Sequence, residues 1–137
     1  MSRAWLGVVS AAHVERGVSL GIAQLNHGKR AGLARLAPGD TLIYYSPTRE
    51  RGDKTPYQCF TAIGIVSDGE IWQADDGDFK PYRRRVDYSE SVPVPIADLK
   101  EELVLTSTPG WGYQLRFGLL PLDPSDFALI REAMVRT

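Results

Sequence analysis

A turn followed directly by a strand, at residues 38–47, constrains the fold more than any other part of the sequence. Proline, glycine and aspartate at 38–40 are typical of a turn, and the β-branched and aromatic run Thr41–Tyr45 predicts a strand. Pro47 ends that strand because proline has no N–H to donate. Two phenol rings and the Ser46 hydroxyl therefore meet at a strand end, where they could grip a flat ligand that forms hydrogen bonds. An ordinary half-buried strand has the same pattern.

Composition favours one soluble globular domain over residues 1–137. The chain is 43% hydrophobic and 24% charged, which provides enough apolar material for a core. Its net charge is −1, so a polyanion would have to be met by a local patch. The single cysteine, Cys59, excludes an intramolecular disulfide and a multi-cysteine zinc site. It lies in an apolar run, where we expect a buried, inert thiol.

Signals for export or membrane insertion are missing from the sequence. Residues 1–5 lack the long apolar core of a signal peptide. Elsewhere, no apolar run approaches the roughly 20 residues that a bilayer requires. We therefore expect a cytoplasmic protein.

The rest of the chain alternates short apolar runs with turns. Further strands are predicted at residues 4–10, 59–66, 71–73, 79–88, 92–96 and 119–122. Helices are predicted at 11–16, with Ser10 as cap and Gly17 as stop, near 31–36, and after the Asp123–Pro124 start signal. Residues 18–36 otherwise predict an irregular connection, of a kind that is often functional. Together these elements favour an α+β fold: a small mixed β-barrel of five or six strands, flanked by short helices, with a C-terminal helix.

Two basic segments could bind an anion. Residues 26–30 place an amide, an imidazole and two cations beside a glycine, which suits an anion or the edge of a base. A solvated turn would have the same composition. On an extended strand, Arg83 and Arg85 share one face and Arg84 takes the other, and with Lys80 they could contact two or three phosphates. The alternative is a solvated strand face balanced by nearby aspartates.

Aromatic residues cluster on the predicted strands or near their breaks, at positions 5, 44, 45, 72, 79, 82, 111 and 113. Stacking a base on such a ring contributes roughly 1–3 kcal/mol. Two rings around an extruded base could therefore offset the cost of unstacking it. For any single ring, packing in the core is the more common role.

The sequence offers little support for a catalytic site. The sequence holds two histidines, His13 and His27, and neither a zinc-protease nor a serine-hydrolase motif. His13 and Glu15 are two residues apart, so they point to different sides of a helix and predict no metal site.

Short fragments spread through nearly the whole chain form a specific combination. They are Trp5–Ser10, His13–Val14, Gly17–Val18, Gly21–Ile22, Gln24, His27–Lys29, Pro38–Asp40, Tyr44–Pro47, Pro81–Arg84, Trp111–Gly112 and Leu115–Gly118. Together they resemble the small stand-alone EVE-domain proteins of bacteria and archaea. That family belongs to the PUA-like superfamily, with the YTH and ASCH domains as relatives.

This resemblance implies a compact β-barrel with a pocket at one mouth that accepts a flipped or single-stranded base. Related domains read methylated adenine in RNA or modified cytosine in DNA. The expected partner is therefore DNA or RNA with a modified or extruded base, or a free modified nucleotide. No catalytic activity is established for the stand-alone family, so the resemblance favours a protein that is not an enzyme, and it implies no cofactor or metal. We expect a monomer, or a weak dimer that pairs through the edge near residues 92–95.

The resemblance also assigns site residues. The base pocket would lie among Ser10, Asn26, His27, Gly28, Lys29, Tyr45, Ser46 and Pro47. Its aromatic walls would come from Trp72, Phe79 and Trp111, and the sugar–phosphate backbone would contact Lys80, Arg83 and Arg84. Alanine in place of Tyr45 or Lys29 is expected to weaken binding without unfolding the protein.

Two other functions stay open. The chain could be an enzyme acting on a nucleotide or an RNA end, in which His27 or Lys29 supplies acid–base chemistry and Ser46 positions the substrate. It could also be a protein-interaction module. That alternative gains weight if the pocket between His27 and Ser46 is filled by the protein's own side chains.

Overall fold

The computed structural model describes residues 2–75 and 77–135, except for the side chain of Asn26. The strands are β1 (Ala4–Val8), β2 (Ile22–Ala23), β3 (Thr41–Ser46), β4 (Cys59–Val66), β5 (Trp72–Gln73), β6 (Tyr82–Tyr88), β7 (Val94–Pro95) and β8 (Leu119–Pro121). The α-helices are α1 (Ala11–Leu20), α2 (Arg30–Arg35), α3 (Val104–Ser107), α4 (Trp111–Gln114) and α5 (Pro124–Met134). Short 3-10 turns lie at Asn26–Gly28, Ile96–Asp98 and Leu115–Phe117.

Six of these strands form one curled sheet, a half-barrel with the order β2-β6-β4-β3-β1-β8. In addition, β5 pairs with β6 and β7 pairs with β4. Strands β1 and β3 run parallel, and the remaining pairs are antiparallel. The mixed α+β fold with a small curled sheet and a C-terminal helix is the one predicted from the sequence. Within the described chain, β2 and β8 form the two margins of the sheet and do not pair with each other.

The central strand β3 has both of its faces covered. Because alternate residues of a strand point to opposite faces, Tyr44 and Tyr45 enter two different cores. The first core joins Tyr44 to Trp5, Val14, Leu25, Leu33, Leu42 and Val86. The second core joins Tyr45 to Leu6, Ile43, Phe60, Leu103, Ile130 and Met134. The side chains of β3 therefore contribute to both hydrophobic cores.

The turn at residues 38–40 is tied to β1. Gly39 has φ +89°, a conformation that glycine adopts without steric cost. The carboxylate of Asp40, which is 3% exposed, accepts a hydrogen bond of 2.9 Å from the indole Nε1 of Trp5. The same carboxylate accepts from the backbone N–H groups of Arg3 and Ala37, each at 2.9 Å. These bonds fix where β3 begins beside β1.

Helix α1 is longer than predicted, since it continues through Gly17 to Leu20 and ends at Gly21, which has φ +69°. A Cβ at position 17 would lie 3.0 Å from the carbonyl oxygen of Ile22. Glycine is therefore present at 17 to let β2 pass close to the helix, and it does not stop the helix. Ser10 occupies the N-cap position, but its side chain makes no capping hydrogen bond, so that detail of the prediction is wrong.

The C-terminal helix begins as predicted. Asp123 caps it by accepting a hydrogen bond of 2.8 Å from the N–H of Ser125. Asp126, in the first turn, is buried and accepts from the N–H groups of Val104 and Leu105 at 2.7 and 2.9 Å. Its carboxylate joins α5 to the start of α3.

Two further expectations concern Cys59 and membrane insertion. The thiol of Cys59 is free and buried. Across residues 2–75 and 77–135, none of the helices is long and apolar enough to cross a membrane.

Strand β7 is shorter than the extended run predicted at 92–96, and it pairs with β4.

Candidate functional site

A cavity of about 670 Å³ lies where several elements end. The end of β1, one side of α1, the turn at 26–28, the loop at 47–52 and residues 115–118 all line it. The N–H groups of Ala11 and Ala12 donate to the carbonyls of Thr48 and Arg49 at 3.0 and 2.8 Å. These bonds hold the loop against the start of α1. The protein's own side chains leave the cavity open.

The cavity is strongly cationic. Its lining includes four arginines and two histidines, at positions 16, 51, 83, 116, 13 and 27. The lining has a single carboxylate, that of Glu50. Because the whole chain has a net charge of −1, the cavity is a local positive patch on a near-neutral protein. No group of three or more potential metal ligands occurs among the described residues.

Predicted site residues from separate parts of the chain line this cavity. They are Ser10, His27, Gly28, Pro47, Phe79 and Arg83. The fold therefore brings together the turn that carries His27 and the residues that follow β3, beginning at Pro47.

The turn that carries His27 has an unusual backbone. His27 has φ +60°, a left-handed conformation that costs energy for a residue with a side chain. Gly28 follows with φ +85°, and a Cβ there would lie 2.6 Å from the Cβ of Pro81 and 3.2 Å from the ring of Phe79. The turn is thus in close contact with the segment before β6. This contact holds the imidazole of His27 and the ring of Phe79 at neighbouring positions of the cavity.

Tyr45 and Ser46 lie away from the cavity. Tyr45 is 2% exposed, and its ring packs edge-on against Phe60 with the ring centres 5.6 Å apart. Burial raises the pKa of Tyr45 to about 12. The hydroxyl of Ser46, also buried, lies 2.8 Å from that of Thr61. Since β3 is covered on both faces, the segment that continues from β3 first lines the cavity at Pro47.

Several other predicted residues are absent from the cavity lining. Lys29 and Lys80 are exposed, and Trp111 is half-buried against the second core. Trp72 lies on β5, where the guanidinium of Arg85 is 5.9 Å from its ring centre. These side chains could reach a ligand only outside the cavity.

The two arginines predicted to contact phosphates lie on opposite faces of β6. Arg83 faces the cavity. Arg84 is 7% exposed, and its Nε is buried without a hydrogen-bond partner among the described residues. A surface contact between Arg84 and a phosphate is therefore not favoured by its position. The side chain of Asn26 lies outside the described part of the chain.

The cavity also contains a string of polar side chains that sequence reasoning missed. The Nε of Arg83 donates a hydrogen bond of 3.0 Å to Oε1 of Gln24. The Nε2 of Gln24 lies 3.3 Å from Nε2 of His13. At the other side of the same imidazole, a guanidinium nitrogen of Arg16 lies 3.4 Å from Nδ1. His13 and Arg16 are three residues apart, so both lie on one side of α1. This spacing is the one sequence signal that could have predicted that His13 and Arg16 act together.

The imidazole of His13 faces more donors than it can accept from. Arg83 can only donate, so it fixes Oε1 of Gln24 towards itself and leaves the amide NH2 towards His13. A neutral imidazole accepts at one nitrogen only, yet both nitrogens of His13 face donors. A ligand that brings acceptor atoms would relieve this excess.

His13 is held in its neutral form. Burial lowers the pKa of His13, and the positive charges of Arg16 and Arg83, together with His27, lower it further. A neutral His13 keeps one acceptor nitrogen available beside the two arginines. The guanidinium groups of the four arginines remain charged beside this imidazole.

The sequence matches the family model described as the EVE domain over residues 3–133. A UPF0310 protein of Renibacterium salmoninarum is 51% identical over 137 residues, covering 100% of this chain and 99% of the relative. UPF0310 proteins of Mycolicibacterium gilvum and Bacillus subtilis are 46% and 40% identical, covering 95% of this chain and 94% and 90% of the relatives.

Solved structures share the fold at low sequence identity. A hypothetical protein from Leishmania major has a TM-score of 0.62 at 12% identity, covering 95% of this chain and 92% of that one. The NMR structure of Rpa0253 from Rhodopseudomonas palustris has a TM-score of 0.56 at 18% identity, covering 93% and 90%. At these identities the likeness establishes a common architecture.

Proposed function

The chain belongs to the EVE domain family, and on that premise we propose that it is a non-catalytic module that binds DNA or RNA. A modified or extruded base enters the cavity beside α1. The sugar–phosphate backbone lies across the arginines around the opening.

The observation that carries this proposal is the concentration of guanidinium groups around one cavity of a near-neutral protein. Bulk charge cannot attract a polyanion here, so affinity depends on this patch. The cavity volume of about 670 Å³ is also in the range of roughly 300–1,000 Å³ that is typical of small-ligand sites. One nucleotide fits such a space, whereas a duplex does not.

The polar string supports the same ligand class. Base edges carry carbonyl oxygens and ring nitrogens, and phosphates carry only acceptor oxygens. Either group supplies an acceptor for the two donors, from Arg16 and Gln24, that face the imidazole of His13. A ligand rich in donors would add to the excess, so we expect selectivity for the acceptor face of a base.

Phe79 supplies the stacking surface. Its ring is 48% exposed and lines the cavity next to the turn that carries His27. A solvent-exposed ring at a binding cavity gains contact area when a base stacks on it. Stacking tolerates any base, so the choice between bases falls to the polar string.

Equilibrium binding to a panel of fluorescent oligonucleotides at low salt tests this function. The panel pairs unmodified strands with strands that carry 5-methylcytosine, 5-hydroxymethylcytosine or N6-methyladenine, in DNA and in RNA. We expect one modified strand to bind more tightly than its unmodified partner. The logarithm of its affinity should fall with the logarithm of salt concentration, because bound phosphates release counterions.

His27→Gly is the matched variant for the same panel. It removes the imidazole from the cavity, yet glycine tolerates the left-handed backbone at this position, so folding is preserved. Binding should weaken in this variant and stay unchanged in Lys100→Ala, which alters an exposed cation outside the cavity lining. If the wild-type protein binds no member of the panel at low salt, the proposed function is wrong.

A further inference from the structure

Two aromatic side chains on the segment before β8 are largely exposed to solvent. Tyr113 is 62% exposed and Phe117 is 59% exposed. Their ring centres are 6.0 Å apart and the ring planes meet at 87°, so they contact each other edge to face. Such a pair would be covered if it served the core. Its exposure indicates a partner that supplies flat apolar surface.

The pair is joined to the rim of the cavity. Leu115, Arg116 and Gly118, from the same short segment, line the cavity. The carbonyl of Gly118 accepts a hydrogen bond of 2.9 Å from the N–H of Val8, which fixes the segment at the end of β1. The short segment that carries the two rings therefore borders the cavity.

Arg116 links the rings to the cationic lining. Its guanidinium carbon is 5.2 Å from the ring centre of Tyr113, within the range of a cation–π contact, and the same residue lines the cavity. The chain from residue 104 to residue 122 contains no Asp or Glu. A phosphate backbone that runs over this segment thus meets a cation and no carboxylate of the segment.

We infer that Tyr113 and Phe117 form a stacking platform for the nucleotides next to the one whose base enters the cavity. This inference rests on the proposed function and extends it, because it makes the recognised unit a short strand. Exposed rings stack on bases of any sequence, so the platform adds affinity without adding base selectivity.

The test compares two probes that carry the tightest-bound base of the oligonucleotide panel. One probe is the nucleoside 5′-monophosphate, and the other is a single-stranded pentanucleotide with that nucleotide in the middle. In the double variant Tyr113→Ala/Phe117→Ala, affinity for the pentanucleotide should fall at least about tenfold, since stacking on two rings is lost. Affinity for the monophosphate should stay within about twofold, because the platform does not contact a single bound nucleotide.

Two control variants accompany this comparison. Ile65→Ala removes an exposed apolar side chain of β4 outside the cavity lining and should leave both affinities unchanged. Tyr113→Trp/Phe117→Trp keeps two stacking rings and should retain pentanucleotide binding.

Unchanged pentanucleotide affinity in the alanine variant overturns the inference while the proposed function stands. The inference is also overturned if the alanine variant binds the pentanucleotide normally but abolishes a concentration-dependent self-association of the wild type. Failure of the wild type to bind either probe removes the proposed function itself.

Discussion

The indole of Trp5 and the carboxylate of Asp40 are joined by a buried hydrogen bond of 2.9 Å, which fastens β1 to the turn before β3. Asp40 accepts two more bonds from backbone N–H groups, so one side chain satisfies three donors. The position of β3, and with it the loop that lines the cavity, depends on this carboxylate.

Asp40→Asn should lower the free energy of unfolding by about 2–4 kcal/mol, because an amide replaces one acceptor by a donor and leaves buried groups unpaired. Denaturant unfolding followed by circular dichroism measures the change. Asp68→Asn, at an exposed position, is the matched control and should change the free energy of unfolding by less than about 0.5 kcal/mol. Equal effects of the two substitutions would contradict this role for Asp40.

The stability of the wild type should fall on acidification through Asp40. Burial acts to raise the pKa of Asp40, but hydrogen bonds from the N–H groups of Arg3 and Ala37 and from the indole of Trp5 outweigh it, so the pKa lies below its ordinary value of 3.8. A carboxyl whose pKa is lower in the folded state stabilises the protein above its ordinary pKa and loses that contribution as the pH falls through the folded pKa. The wild type should therefore lose more stability below pH 3.8 than Asp40→Asn does, as measured by denaturant unfolding at a series of pH values.

Tyr45→Ala should destabilise the protein by about 3–5 kcal/mol, because it empties the second core beside Phe60. This differs from the expectation drawn from the sequence, in which the substitution weakens binding alone. Tyr45→Phe keeps the ring and should leave both stability and the cavity close to wild type. A normal melting temperature for Tyr45→Ala would show that the ring is not part of the core.

Gly28→Ala should disrupt the cavity more than an ordinary left-handed glycine substitution does. The new Cβ would lie 2.6 Å from Pro81, so the turn and the segment before β6 must separate. Gly77→Ala is the control, since Gly77 has φ +75° and nothing lies within 4 Å of the added Cβ. Both variants lose roughly 1 kcal/mol to backbone strain. Only Gly28→Ala should also lose oligonucleotide binding, and equal binding by the two variants would refute the contact.

His13 should make the folded protein less stable just below neutral pH. Burial first, and then the charges of Arg16, Arg83 and His27, lower the pKa of His13 below its ordinary value of 6.5. Between 6.5 and the lower folded pKa, the unfolded chain takes up a proton that the folded protein does not, so stability falls with the pH over that window. Above 6.5 both states are neutral and His13 contributes no pH dependence. Melting temperatures from pH 7.5 to 5.0 should decline less in His13→Asn, and parallel curves would contradict this assignment.

Much of the fold follows from local sequence signals. Strand β4 has the predicted bounds, Cys59–Val66, and α5 has its predicted cap at Asp123. The predicted end of α1 at Gly17 is wrong. Glycine is needed there because the backbone at Ile22 passes close to the helix, and the local sequence does not show such a tertiary contact.

The site was predictable in part. The turn at 26–28 and the residues after β3 line one cavity, and only the resemblance to the EVE family implied that they lie close together. The direction of the Tyr45 ring was not predictable. Alternation puts Tyr44 and Tyr45 on opposite faces, and sequence cannot say that helices and loops cover both. His13 and Gln24 were missed as site residues because their partnership spans two elements.

The margins of the half-barrel are very short. β2 has two residues and β8 has three. A foreign strand that docked on either margin would gain only a few backbone rungs, too little to seed fibre growth.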